Sequence, residues 1–293
     1  MARAAAPGRP TLPAPILHVP ARACTCLHVP ASCPPYDGGV SELPASVRLA
    51  LWVTASWRGD VTTTEALQRS FPDLDHVAGD LRRIDVWHDL GERALFVALP
   101  RPGDTSRMPK GSPAAAAHAA DSGECVFVAG IGGVLVPTLS EFGPDGDIGC
   151  RADWTAYEAD PIPRHRLEML DLREIERGLL QSLRAHTDRF EEVGGHPWGP
   201  EARAEAESGL DASIWGIPDG TPGRALRLMS LASSVSRLAH RTAGLTGLGS
   251  SGIDVGTTTT RELLLRDLAA DADTALADAT NVAVMSVAGW RPA

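Results

Sequence analysis

Cys150, Ala152, Trp154 and Ala156 alternate with Arg151, Asp153, Thr155 and Tyr157 along one unbroken stretch. A period of two puts the first set on one face of a strand and the second on the other. The chain must therefore build a sheet with one packed face and one facing water. Helices have to cover the packed face, which sets the class as α+β.

More strand-like runs precede this one. Ala94-Leu95-Phe96-Val97-Ala98-Leu99 is short, apolar and closed by Pro100, and residues 125–129 and 133–139 read the same way. Gly143-Pro144-Asp145-Gly146-Asp147 predicts a tight turn, and residues 101–122, rich in Pro, Gly, Ser and Ala, an exposed loop. Short connections favour an antiparallel meander over residues 93–162.

Helical periods flank the meander. Val47, Ala50, Leu51 and Thr54 predict a largely buried helix over 45–58, and Thr62-x-x-Glu65 is a capping-box pattern for a short second one. Asp73 or Asp75 is expected to cap a third helix, with Val77, Leu81 and Ile84 on one face. The stripe Leu172, Ile175, Leu179, Leu183, His186, Phe190 and Val193 predicts a long helix. Pro222 suits the start of the next, lined by Leu228, Leu231, Val235 and Leu238. A last helix from about residue 258 buries Leu264, Leu268, Ala272 and Leu276, and residues 281–290 read as helix or strand. The expected architecture is an N-terminal helical cluster (41–92), a central antiparallel β-meander (93–162) and C-terminal helices packed on the sheet (163–293). All three belong to one globular domain.

Ahead of Ser41 the pattern fails. Residues 1–40 are built from Ala, Pro, Arg and Cys, with Leu17-His18-Val19-Pro20-Ala21 repeated as Leu27-His28-Val29-Pro30-Ala31. This composition predicts a disordered leader. Cys24, Cys26, His28 and Cys33 carry enough soft donors for a zinc knuckle. Their spacing departs from the usual Cys-x2–4-Cys pairs and prolines interrupt it, so no bound metal is expected. Only Cys125 and Cys150 remain in the fold, which argues against a disulfide framework and fits a reducing cytosol.

The chain holds 27 basic and 37 acidic residues, a net charge of −10. Such a surface repels phosphate backbones, so nucleic acid is not an expected partner. Lys110 is the only lysine, a bias that fits a GC-rich bacterial genome. No apolar run is long enough to span a membrane, and prolines interrupt any signal-like segment, so the expected location is cytoplasmic.

Motifs that carry chemistry are sparse. Gly247-Leu248-Gly249-Ser250-Ser251-Gly252 matches a dinucleotide fingerprint in letters but follows a helix instead of a strand, so no cofactor is expected. His76, His88, His165, His186 and His196 fall in no zinc-protease or hydrolase pattern, and His186 reads as a hydrogen-bonded core residue. Glu141, Asp145, Asp147 and Asp153 around the hairpin read as turn vocabulary. Asp153, Arg164, His165 and Arg166 are candidate catalytic residues for a cleft between the sheet and the C-terminal helices. The first reading is a non-enzymatic module that binds a protein or small-molecule partner, with Trp-rich segments as anchors. An enzyme of unrecognised type is the alternative. A DNA-binding regulator with winged-helix element order is the second, and acids in the third helix oppose it.

Overall fold

The computed structural model describes residues 17–18, 43–144, 147–193, 216–246 and 255–291. Eight helices and six strands are named among them: α1 (Ala45–Arg58), α2 (Thr63–Ser70), α3 (Arg83–Asp89), α4 (Pro113–Ser122), α5 (Arg164–Glu168), α6 (Leu172–Val193), α7 (Gly223–Thr246) and α8 (Val255–Val287); β1 (Leu17–His18), β2 (His76–Gly79), β3 (Phe96–Ala98), β4 (Cys125–Phe127), β5 (Val134–Phe142) and β6 (Gly149–Tyr157). The fold is α+β, with N-terminal helices, a mostly antiparallel sheet and C-terminal helices against it.

The sheet runs in the order β1-β2-β6-β5-β4-β3. From β3 to β6 it is the expected meander, antiparallel at each step. The alternation in β6 holds: Cys150, Ala152 and Trp154 are buried, and Arg151 is exposed. The two-residue β1 pairs antiparallel with β2, a contact that the composition of the leader did not announce.

Strand β2 corrects the sequence reading. Residues 76–79 are a strand, parallel to β6, where a third helix was expected. The aspartates that were to cap that helix anchor the strand instead. Asp75 accepts the Cys150 N–H at 2.8 Å and Asp80 the Ala156 N–H at 2.9 Å, one at each end of β2. Asp73 is buried in an ion pair with Arg48 of α1. The helix begins only at Arg83, so a strand interrupts the element order on which the winged-helix comparison rested.

The predicted loop over 101–122 also gives way in part. Ser112 caps the N-terminus of α4, its hydroxyl accepting the Ala115 N–H at 3.1 Å, and Pro113 takes the first helical position. The Thr62–Glu65 cap on α2 is present as expected, at 3.2 Å. Helix α1 lacks a side-chain cap of its own, and buried Glu124, just before β4, supplies one by accepting the Ser46 N–H at 2.7 Å.

Helix α8 is the axis of the packing. It runs to Val287, so most of the segment 281–290, open to helix or strand by sequence, is helical, and from Leu264 to Val287 most of its residues are buried. One hydrophobic cluster joins α1, the sheet, α7 and the end of α8. Trp52, Trp57, Trp87 and Trp154 are all buried, so these tryptophans support the core and offer no surface anchors. Cys125 is a buried free thiol. Cys150 is buried on the packed face of β6. No helix among the described residues is long and apolar enough to cross a membrane.

Candidate functional site

Among the described residues, the outward face of β2, β6 and β5 is left open at the end away from α4. The pairing register fixes its rows. Thr138 lies opposite Asp153, Ser140 opposite Arg151, and Phe142 opposite Gly149. On the other side of β6, His76 is level with Arg151 and Ala78 with Asp153. Directly paired residues share a face, so these side chains stand on the side away from Ala152 and Trp154. Phe142 is 40% exposed and its ring lies 4.9 Å from that of His76. Arg151 and Asp153 form an ion pair along the strand.

Helix α4 covers one end of this face, over Val134 and Val136, and His118 marks the boundary. Its Nδ1 lies 2.9 Å from the Tyr157 hydroxyl and its Nε2 2.8 Å from Thr138 Oγ1. Ser122, one turn further along α4, donates to the Pro137 carbonyl at 2.6 Å. Partial burial holds the His118 pKa below the ordinary imidazole value, and the nearby Asp121 carboxylate opposes that shift. A neutral imidazole between two hydroxyls donates through one nitrogen and accepts through the other. Both nitrogens are thus in use, and the ring fastens α4 to the sheet.

The structure does not join the four catalytic candidates. Asp153 lies on the open face with Arg151 as its partner. Arg164 pairs with Glu168 at 2.7 Å and stacks 4.1 Å above the Trp290 ring, while His165 and Arg166 are exposed on the five-residue α5. Among the described residues no hydrogen bond or ion pair links Asp153 to any of the other three. Cys24, Cys26, His28 and Cys33 lie outside the described residues, as do Asp145 and the Gly247–Gly252 motif. No group of three or more potential metal ligands occurs among the described residues.

Two Ser/His/Asp sets in the helical half escaped the sequence reading. His186 Nε2 lies 3.1 Å from Asp271 Oδ2, and the Ser182 hydroxyl donates to the same oxygen. On α7, Ser236 donates to Asp273 Oδ1 at 2.5 Å, and His240 Nε2 lies 3.3 Å from Oδ2. Each Ser and His are four apart, hence on one helix face, and each set meets one aspartate of α8. In a nucleophilic relay the serine would donate to the histidine. Here both side chains point at the carboxylate, so each set clasps a helix to α8. The signal in the sequence was the repeated Ser-x3-His spacing at 182–186 and 236–240.

Residues 46–168 match the family model described as Rv1486c-like protein, N-terminal domain, and residues 173–277 match the one described as Rv1486c-like protein, C-terminal domain. The junction falls between α5 and α6. No curated protein and no solved structure matches.

Proposed function

The chain belongs to the Rv1486c-like protein family through both of its halves, and on that premise we propose that it is a non-catalytic binding module that takes a protein partner on the open face of β2, β6 and β5. The observation that carries this reading is the exposed row Thr138, Ser140 and Phe142 beside Arg151 and Asp153. A sheet face of mixed polar and aromatic residues suits a macromolecule, whereas small ligands favour concave apolar sites. The Ser, His and Asp groups most suggestive of catalysis are spent on holding helices together, which supports binding over chemistry.

Affinity capture of the full chain tests this reading. Phe142→Glu places a charge at the exposed aromatic position and should abolish capture of the partner. Glu191→Lys, on the exposed side of α6, should leave it intact. Equal capture by both variants would remove the open face from consideration.

A further inference from the structure

Carboxylates outnumber cations around the open face. Among the described residues of β2, β5, β6 and α4 the only arginine or lysine is Arg151, which pairs with Asp153, beside the two imidazoles His76 and His118. Asp75 and Asp80 stand at the two ends of β2, each with a carboxylate oxygen on a β6 amide. Asp121 lies close enough to His118 to act on its charge. Glu158 follows Tyr157 directly, where Arg83 pairs with it. The exposed Phe142 ring stands on the open side, and an aromatic face attracts cations through its quadrupole.

Resting on the reading of this face as a docking surface, we propose that its occupant is a cationic, arginine-bearing segment of a protein partner. Guanidinium groups meet the chemistry on both counts. They pair with carboxylates in a fork and stack flat on Phe and Tyr rings. An acidic peptide or a nucleic-acid backbone would meet repulsion from the same rim, in a chain whose net charge is −10. The face also has the right form for an extended segment, because three strands lie side by side there with Arg151 and Asp153 in the central one.

Fluorescence anisotropy of the full chain with a labelled arginine-rich peptide, and separately with a glutamate-rich peptide of equal length, tests the inference. The arginine peptide should bind and the glutamate peptide should not. Binding should weaken as salt rises, because screening acts on exposed charges. The double variant Asp121→Arg/Asp153→Arg should weaken binding on the order of tenfold, since two rim charges change sign. The charge-matched control Asp188→Arg/Glu191→Arg on α6 should not. Phe142→Ala supplies a second readout that leaves the rim charges alone, and it should weaken binding severalfold. Equal loss in the α6 control, or equal binding of both peptides, would overturn the inference, because the attraction would then belong to the whole chain. If the peptide preference fails while Phe142→Glu still abolishes partner capture, the docking face stands and only the cationic partner is lost.

Discussion

The side chain of Asn281 pairs with the backbone of Val97 on both of its hydrogen-bonding groups. Its Oδ1 accepts the Val97 N–H at 2.8 Å and its Nδ2 donates to the Val97 carbonyl at 2.9 Å. Strand β3 is the last in the sheet, so these are groups that an edge strand would otherwise present to another chain. Helix α8 thus seals that edge with one amide. The same helix meets α6 through Asp271, α7 through Asp273, and the loop after β3 through Asp278, which Arg107 contacts at 2.7 and 2.5 Å. The polar residues of α8 fasten the elements around it.

Replacing Asn281 by Leu should destabilise the protein by about 2–4 kcal/mol. Two buried backbone groups lose their partners and water does not reach them. The midpoint of urea unfolding, compared with wild type, measures this. An unchanged midpoint would mean that the edge of β3 is satisfied some other way.

Gly79 ends β2 with φ of +97°, and an added Cβ would stand 2.1 Å from the Trp154 carbonyl oxygen. Gly79→Ala has to move the backbone of β2 away from β6, at a cost of roughly 3 kcal/mol or more. Loss of amide protection in residues 76–79, read by hydrogen exchange, should accompany the loss of stability. Protection equal to wild type would show that the close approach of the two strands is dispensable.

Much of this architecture was legible because burial on one side leaves a strong periodic mark. The alternation in β6 and the stripe of α6 each span enough residues to decide between strand and helix. Strand β2 has only four residues, and Val77 happens to stand at helical spacing from Leu81 and Ile84, so the wrong period fitted. Helix α4 was hidden by its alanines, which give no apolar contrast, although Ser112-Pro113 was a start signal in plain view. With α4 went His118, and with it the boundary of the open face. Asp153 is a sequence candidate for a different cleft, whereas Phe142, directly before the Gly143 turn, carries no signal of its own. The Ser/His/Asp clasps were out of reach because the partners lie 33 to 89 residues apart in the chain.

Burial pushes the Cys125 thiol up to about 12, with the neighbouring Glu124 charge adding to the effect. The thiolate is the reactive form, so Cys125 should resist iodoacetamide in the native state and react once the chain is unfolded. A raised pKa also fixes the sign of the pH dependence. Above the ordinary thiol value the unfolded chain ionises while the folded one does not, so this contribution to stability is lost as pH rises toward 12. Mass spectrometry of the alkylated native protein checks the first point, and modification at Cys125 without unfolding would contradict it.

The pH dependence at His118 is an acid-side effect. The folded ring has a lowered pKa, so the unfolded chain takes up its proton first as pH falls below the ordinary imidazole value. This contribution is present above that value and is lost as pH falls through the window down to the folded pKa. In His118→Gln the corresponding slope of stability against pH should flatten. An identical slope in the variant would place the titrating group elsewhere.

The open face itself can be probed where it is most exposed. A photo-reactive aromatic amino acid introduced at Phe142 in the full chain, and separately at Glu191 on α6, reports what touches each position when the protein is irradiated in its native setting. A discrete crosslinked protein species is expected from position 142 and none from position 191. Crosslinks from 191 alone, or the same species from both positions, would contradict a recognition surface on the face of β2, β6 and β5.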